Sequence, residues 1–544
     1  MSAVLEVREP SARYLEAQQP ALLQQFGLLA TAQGGVSRLR ELILTLAVQG
    51  KLEPQLPGDE HAALFLRRVE SAKEQLVAAG AMRRPKPQAD IAEDELPFPK
   101  PTGWQWVRLG KLLQKIGAGS TPLGGKEVYV TTGMKFLRSQ NVWNDGLRRE
   151  GVAHITPATH AKMAGTVVVA NDLLFNITGA SIGRCAAVPA DFDEANVSQH
   201  VAIIRPVLPS VNAFLHTVLI SRLVQQAVMD VQVGVSREGL SIAKLGNFLV
   251  PLPPLQEQAR IVARVDELMR LCDALEAQGR LEAEQHARLL GTLLGTLTDS
   301  TTPEELAANW QRVADHFDLL LDRPEAVDAL EQTILQLAVR GLLVPCGHWT
   351  RSRFGDVVAM LNGYAFKSEW FRPSGVRLVR NVNVSHGSVD WHQAACVSTA
   401  VADEFAQFAL AEGDVVLTLD RPIISTGLKL AVVEAHDLPC LLLQRVARLS
   451  PDANVLTRDF MLLWLCSGSF VKAIDPGRSN GVPHISTKQV AALTIDLPGM
   501  PEQARIVARV AELRRLCADL RQRLAASQTT QSHLAHALID SAIS

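Results

Sequence analysis

Apolar residues recur at alternating steps of four and three positions in two stretches of the chain, with polar and charged residues between them. The first series is Ile261, Val265, Leu268, Cys272 and Leu275, and the second is Ile506, Val510, Leu513, Cys517, Leu520 and Leu524. Such steps keep side chains on one face of an α-helix, as in a coiled-coil seam. A proline-containing segment precedes each series and interrupts any earlier helix. The pattern therefore predicts two long amphipathic helices.

The two predicted helices belong to an internal repeat. The segment Glu257–Val265 recurs letter for letter at Glu502–Val510, and a second motif, Leu-Ala-Val-x-Gly, ends at Gly50 and again at Gly341. Identity over so many consecutive residues indicates a duplication rather than chance. The two seams could pack on each other, or each could be buried against its own domain. The spacing alone leaves both arrangements open.

The regions between the predicted helices have the pattern of strands and turns. Short apolar runs divided by Gly, Asn and Asp fill residues 101–250 and 346–497, and Trp104 and Trp349 open the two regions. The regions share short islands of sequence and otherwise differ. We therefore predict an α/β fold class (mixed α+β), with two globular domains that share a scaffold but carry different surfaces.

The composition is that of a globular protein in a reducing compartment. Of the 544 residues, 47 % are hydrophobic and 20 % are charged, and the formal net charge is −2. Seven cysteines are scattered without a Cys-x-x-Cys pair, which disfavours disulfides and a zinc knot. No apolar run approaches the roughly 18 residues of a membrane helix, and the N-terminus lacks a signal-peptide core. We expect a cytoplasmic protein that has no contact with a membrane.

The sequence lacks convincing motifs for catalysis. The segment Gly119–Lys126 resembles a phosphate-binding loop, but Glu127 stands where that loop needs a hydroxyl group for Mg²⁺. The histidines, His154 and His160 among them, lack metal-ligand spacing. No convincing glycine motif for S-adenosylmethionine is present. We therefore expect a non-catalytic chain with no metal and no cofactor of its own.

The distribution of charge is compatible with a nucleic-acid surface. Residues 101–250 hold 14 Lys and Arg against 9 Asp and Glu, whereas residues 346–498 hold 14 of each. In both regions the basic side chains are interspersed with Asn, Gln, Ser and Gly, a mixture that suits contacts with phosphates and base edges. The solvated face of a neutral protein has a similar mixture. Charge alone therefore leaves both interpretations open.

The repeated order of helix, variable domain and helix resembles the specificity subunit of a type I restriction–modification system. The resemblance covers nearly the whole chain from Ser37 onward. Its carriers are Pro251–Glu276, the Leu-Ala-Val-x-Gly segments that end at Gly50 and Gly341, and the domain openings Pro101–Gly110 and Gly117–Pro122. The second copy departs from the proline-rich pattern, because Leu497–Pro501 reads Leu-Pro-Gly-Met-Pro.

This resemblance implies a DNA-recognition subunit without catalytic activity. Each variable domain would be a target recognition domain that reads one half of a bipartite, asymmetric sequence in double-stranded DNA. The long helices would form an antiparallel coiled coil and dock two methyltransferase (modification) subunits, which motor-nuclease (restriction) subunits join. Two alternatives are a coiled-coil scaffold that binds protein partners and a fused DNA methyltransferase.

The resemblance divides the chain into six segments and suggests candidate DNA contacts. The segments are an N-terminal tail at 1–36, a conserved helical region and linker at 37–100, target recognition domain 1 at 101–250, a central conserved helical region at 251–345, target recognition domain 2 at 346–497 and a C-terminal conserved helix at 498–544. The candidates are Lys126, Arg138, Ser139, Asn141, Gln199, His200, Arg237, Arg380, Asn381, Asn383, Gln444, Arg445, Arg478 and Asn480. Positions alike in both domains could instead serve the shared scaffold. We assign Arg260, Arg264, Arg505 and Arg509 to the coiled coil or to a partner surface.

Overall fold

The chain forms two compact units, and each is built around one repeat. The computed structural model describes residues 32, 34–85, 87–233, 239–345, 347–424, 427–474 and 484–543. Unit 1 comprises Met1–Arg280 and Thr529–Ser544, and unit 2 comprises Leu281–Gln528. In these described ranges, no helix is both long and apolar enough to cross a membrane. Each unit has a large apolar core of its own.

Two long helices contribute residues to both units. The helices that begin in unit 1 are α1 (Gly35–Val48), α2 (Ala62–Ala78), α3 (Pro157–Lys162), α4 (Asn212–Ile220), α5 (Arg222–Val233), α6 (Ile242–Gly246) and α7 (Leu255–Asp299). Those that begin in unit 2 are α8 (Pro303–Asp315), α9 (Phe317–Leu320), α10 (Pro324–Val339), α11 (Phe354–Val357), α12 (Thr399–Glu404), α13 (Arg458–Cys466), α14 (Gly468–Ile474), α15 (Thr487–Ala492) and α16 (Met500–Ile543). The chain leaves unit 1 along α7 and returns to it along α16.

Short strands fill the domain between the helices of each unit. The strands of unit 1 are β1 (Gln105–Arg108), β2 (Leu113–Ala118), β3 (Tyr129–Val130), β4 (Met134–Leu137), β5 (Val142–Trp143), β6 (Gly146–Leu147), β7 (Ala153–Ile155), β8 (Val167–Val168), β9 (Leu173–Asn176), β10 (Cys185–Ala187), β11 (Ala195–Val197), β12 (Val201–Pro206) and β13 (Leu249–Leu252). The strands of unit 2 are β14 (Thr350–Arg353), β15 (Val358–Asn362), β16 (Val376–Val379), β17 (His386–Gly387), β18 (Cys396–Val397), β19 (Val415–Thr418), β20 (Ile423–Ile424), β21 (Gly427–Leu428), β22 (Leu430–Val432), β23 (Cys440–Leu442), β24 (Val446–Pro451) and β25 (Thr494–Leu497).

The two units share a sheet plan. In unit 1, an antiparallel sheet of order β10-β9-β12-β2 accompanies a mixed sheet of order β3-β7-β4-β11-β8, in which β4 and β11 run parallel. Unit 2 has sheets of order β15-β24-β19-β22-β17 and β18-β16-β23, and β16 runs parallel to β23. The first and last strands of each domain pair with each other, β1 with β13 and β14 with β25. The mixed α/β fold with two sheet-containing domains is confirmed, and the six segment boundaries stay a prediction.

The predicted seams are buried in the unit cores. In unit 1, Ile261, Val265 and Cys272 of α7 belong to the same core as Ala535 and Ile539 near the end of α16. In unit 2 the roles are exchanged, because the first half of α16 shares a core with the last part of α7. The start of one long helix and the end of the other therefore lie in one core, as the expected antiparallel coiled coil requires.

Each unit has an ion pair between two of its helices, and the basic and acidic residues exchange positions from one unit to the other. In unit 1, the guanidinium group of Arg40 on α1 lies 3.0 Å from Glu276 on α7. In unit 2, Arg521 on α16 lies 3.0 Å from Glu331 on α10. Arg40 and Glu331 occupy the same position in the repeat, and so do Glu276 and Arg521. If α1 packed on α16 instead of α7, Arg40 would face Arg521, and the two positive charges would repel each other. The ion pairs therefore favour packing of α1 on α7 and of α10 on α16.

The glycine of each Leu-Ala-Val-x-Gly motif follows the end of a helix and packs against a tryptophan side chain. Gly50 follows α1 with φ 69°, and a Cβ atom there would lie 2.9 Å from Cζ2 of Trp104. Gly341 follows α10 with φ 72°, and its Cβ atom would lie 2.8 Å from Cζ2 of Trp349. Glycine alone tolerates both the left-handed backbone and so close a contact. The glycine of the motif is therefore required for the packing of the tryptophan in each unit.

The Glu-Gln pair at the start of each long helix anchors that helix to its own domain. The indole N–H of Trp104 donates to Oε1 of Glu257 at 3.0 Å. Burial raises the pKa of the Glu257 carboxyl group above its ordinary value, although the hydrogen bond from Trp104 opposes this shift. The amide groups of the buried Gln258 and Gln503 donate to the carbonyl oxygens of Pro253 and Pro498 at 2.8 and 3.0 Å. These contacts account for the most conspicuous identity in the repeat.

Residues 51–100 contain more order than their polar, proline-containing sequence predicts. Helix α2 buries Phe65 and Val69 in the core of unit 1. Farther along, Glu95 binds the guanidinium group of Arg108 at 2.9 Å, and the Gln88 amide donates to the carbonyl of Gly246 at 3.1 Å. The stretch therefore packs on the first domain. Its apolar positions are too few to reveal this packing by periodicity.

Candidate nucleic-acid interface

In each unit, two turns that follow neighbouring parallel strands lie at the same edge of a sheet. Because β4 and β11 are parallel, the turns that follow them emerge together, and the same holds for β16 and β23. We use the term loop edge 1 for residues 138–151, 178–184 and 198–201, and loop edge 2 for residues 380–393, 418–424, 427–429, 443–446 and 484. The structure thus brings together these predicted residues: Arg138, Ser139, Asn141, Gln199 and His200 in unit 1, and Arg380, Asn381, Asn383, Gln444 and Arg445 in unit 2.

The matched asparagines of the loop edges support the loops. Asn141 is fully buried, its Oδ1 accepts the N–H of Arg138 at 3.0 Å, and its Nδ2 donates to the carbonyl of Arg148 at 3.1 Å. Asn383 is equally buried and makes the same kind of contact, with its Nδ2 2.8 Å from the carbonyl of Asp390. A side chain without exposed surface cannot reach a duplex unless the loop opens. We therefore leave both asparagines out of the proposed interface.

The matched arginines lie at the foot of the same loops. Nη2 of Arg138 donates to the carbonyl of Gly151 at 2.9 Å, and Nη2 of Arg380 donates to the carbonyl of Gln393. Both side chains are half-buried and hold the two ends of a loop together. Their likeness in the two domains follows from this shared task.

An open cleft of about 590 Å³ lies at loop edge 1. Ser139 and the exposed His200 line it, and Nδ1 of His200 lies 2.6 Å from Oγ1 of Thr178. Beside the cleft, the exposed Gln199 accepts a hydrogen bond from the hydroxyl group of Thr121. The cleft therefore offers a hydroxyl, an amide and an imidazole group, each of which can meet a polar edge of a base.

A stacked arginine and tryptophan form one wall of this cleft. The Arg184 guanidinium lies 3.8 Å from the ring centroid of Trp143, and it has no acidic partner within the described part of unit 1. Stacking on indole holds a guanidinium group flat and leaves its N–H donors free. Neither residue is among the candidates predicted from the sequence. The available signal in the sequence was a tryptophan directly before the turn-forming residues Asn144, Asp145 and Gly146.

Loop edge 2 carries a different set of polar groups. The Arg445 guanidinium donates from Nη1 to Oδ2 of Asp420 at 2.8 Å, and Nδ1 of His484 lies 3.1 Å from Oδ1 of the same carboxylate. Nearby, the ammonium group of Lys429 donates to the backbone and side-chain oxygens of Asn381. Gln444 is exposed beside Arg445. No group of loop edge 1 repeats this arrangement of arginine, aspartate and histidine in the described residues.

The remaining candidates do not join these clusters. Lys126 is exposed in a short turn at Gly125–Val128. Arg237, Arg478 and Asn480 lie outside the described residues. Across the described ranges, His, Cys, Asp and Glu side chains form no group of three or more that could hold a metal ion.

The repeated arginines of the long helices contact acidic side chains. Nη2 of Arg260 lies 2.6 Å from Oδ2 of Asp59, and this contact holds the pKa of the Asp59 carboxyl group below its ordinary value. Arg264 and Arg509 each contact the glutamate three residues later at 2.6 Å. Arg505 lies 3.7 Å from Glu502. Their assignment to a partner surface stays a prediction.

Residues 101–285 and 347–527 match the family model described as the type I restriction modification DNA specificity domain. The two ranges contain both domains together with the first part of each long helix, and they cover more than half of the chain. This chain belongs to the family of type I restriction–modification specificity subunits. The resemblance inferred from the repeated motifs is thus confirmed, and recognition of a DNA target is the role of this family.

Relatives of this specificity subunit span almost all of its length. It is 37 % identical over 573 aligned positions to the type I restriction enzyme EcoAI specificity subunit of Escherichia coli, with 94 % of each chain covered. It is 27 % identical to the EcoEI specificity subunit of the same organism, again with 94 % of each chain covered. A chain from a solved type I R-M system has a TM-score of 0.51 at 21 % identity, covering 82 % of this chain and 99 % of that chain. That last likeness concerns the fold alone.

Proposed function

We propose that each loop edge reads one half of a bipartite, asymmetric target in double-stranded DNA, and that this chain recognises DNA for a type I restriction–modification complex without catalysing a reaction. The observation that supports this proposal is that the two units share a scaffold but present different polar side chains at corresponding turns. His200 beside Thr178 stands in unit 1 where Arg445 beside Asp420 stands in unit 2. Two similar domains with different hydrogen-bonding side chains suit a DNA target whose two halves differ in sequence.

The long helices would dock two modification subunits, which restriction subunits join. A duplicated chain can offer the same surface twice to two identical partners. Leu271 on α7 and Leu516 on α16 occupy the same position in the repeat, and they are 53 % and 59 % exposed. Large apolar side chains exposed at matched positions support a pair of equivalent docking surfaces.

Mapping of adenine methylation tests the proposed function directly. We expect one split, non-palindromic methylated motif in cells that hold this gene with the genes of its modification subunits, and no such motif when this gene is deleted. A complex that assembles but methylates without sequence preference would favour the scaffold alternative. Methylation by the purified chain alone would revive the fused methyltransferase.

Replacement of Arg184 by alanine should weaken recognition of the half-site read by unit 1. A well-placed guanidinium contact with a base discriminates by about 1–3 kcal/mol, so we expect roughly tenfold to hundredfold weaker selection at one position. Trp143→Ala should affect the same position, because the stacked ring holds the guanidinium group. Methylation mapping measures the change, and the second half of the motif is the internal control. Equal loss at both halves would contradict a local reading role.

A further inference from the structure

The turn that carries Arg445 has a backbone conformation that disfavours arginine. Hydrogen bonds from the fourth residue to the first close the turns Ser198–Val201 and Leu443–Val446, at 3.0 and 3.2 Å. The third position is His200 in unit 1 and Arg445 in unit 2, and only Arg445 of this pair has a positive φ, 71°. Glycine and asparagine are the usual residues at such a position. A strained arginine in an exposed turn indicates that its side chain has a task there.

A buried carboxylate orients this arginine. The side chain of Asp420 is 10 % exposed, whereas that of Arg445 is 61 % exposed. Asp420 follows β19 and forms a backbone bridge with His484, and the neighbouring Leu419 N–H donates to the carbonyl of Arg445 at 2.8 Å. The carboxylate is therefore fixed from two sides. The Asp420 carboxylate accepts from Nη1 of Arg445, so the other edge of the guanidinium group, formed by Nε and Nη2, points away from Asp420. This edge has no acceptor in the described residues.

We propose that Arg445 is a guanine-reading residue of the half-site recognised by unit 2, and that Asp420 is its positioning residue. This inference rests on the proposed function. The two parallel donors of the free guanidinium edge match the O6 and N7 acceptors of guanine in the major groove, and guanine alone presents two acceptors on that edge. The carboxylate limits rotation of the guanidinium group, so the fork is arranged before DNA arrives.

Variants at four positions test this role in cells that co-express the modification subunits. His200→Ala assigns the halves, because it should change only the half read by unit 1. We expect a guanine in the other half, and Arg445→Lys should relax selection at that guanine by roughly tenfold to hundredfold, since an ammonium group keeps the charge but not the fork. Asp420→Asn should relax the same position less. Arg351→Ala, which removes an exposed Arg–Asp ion pair from the same unit, should leave the motif unchanged.

A glycine variant separates reading from folding. The double variant Asp420→Asn/Arg445→Gly relieves the left-handed strain and replaces the buried carboxylate by a neutral amide, so that no buried charge loses its partner. The Tm of the purified chain should therefore stay the same or rise while selection at the guanine is lost. A fall in Tm with an unchanged motif would overturn the inference, because Arg445 would then be structural. A half-site without guanine, or equal loss of binding to all sequences in Arg445→Lys, would also overturn it. A wild-type chain that yields no split motif would overturn the proposed function and this inference together.

Discussion

Replacement of Arg205 by alanine is expected to lower the free energy of unfolding of unit 1 by about 3–5 kcal/mol. Asp172 is fully buried, and Arg205 contacts both of its carboxylate oxygens, from Nε at 2.6 Å and from Nη2 at 2.7 Å. The variant would leave a buried charge without its partner. This cost exceeds the net value of the ion pair itself, because the carboxylate cannot regain its hydration.

Unit 2 offers a matched control for this prediction. Asp414 occupies the position of Asp172 in the repeat, but it is partly exposed and its contact with Arg448 measures 3.5 Å. Arg448→Ala should therefore cost less than about 1 kcal/mol. Two units make global unfolding a poor measure, so hydrogen exchange of peptides from β9 and β12, compared with β19 and β24, should measure each unit separately. Equal losses of protection in the two variants would contradict the role of burial.

Replacement of Trp104 by alanine is expected to destabilise unit 1 by about 3–5 kcal/mol, which is the usual cost of removing a large buried aromatic side chain. Trp104 is fully buried, packs edge-to-face on Phe214 at 6.2 Å and donates to the buried Glu257. The variant would leave a cavity and an unpaired carboxylate where the first domain meets α7. We expect early local unfolding of this junction in hydrogen exchange.

Two variants separate the sources of this effect. Trp349→Ala removes the matched but half-buried tryptophan of unit 2 and should cost clearly less than Trp104→Ala. Trp104→Phe keeps most of the packing but removes the hydrogen bond to Glu257, so it should cost about 1–2 kcal/mol. It should also raise the pKa of Glu257 further, because that hydrogen bond opposes the effect of burial. A full-sized loss in Trp104→Phe would show that the hydrogen bond, rather than packing, dominates the junction.

The sequence by itself determined the duplication, the long amphipathic helices, the mixed α/β class and the family. Helical seams such as Ile506 to Cys517 repeat at a fixed local period, and the motifs around Gly50 and Gln258 repeat because each copy makes the same contacts. A periodic pattern or a repeated junction is written into consecutive residues. It can therefore be recognised before the chain is folded.

The tertiary structure alone decided which polar side chains support the loops and which face outward. Asn141 and Asn383 carry suitable donors, yet the fold buries them, whereas Arg184 and Trp143 stack on each other in one wall of a cleft although they are distant in sequence. The pair of Arg445 and Asp420 likewise depends on a turn with positive φ and on the strand before Asp420. Recognition surfaces impose no period on the chain. Parallel strand pairing and turn geometry, which act over long sequence separations, bring these residues together.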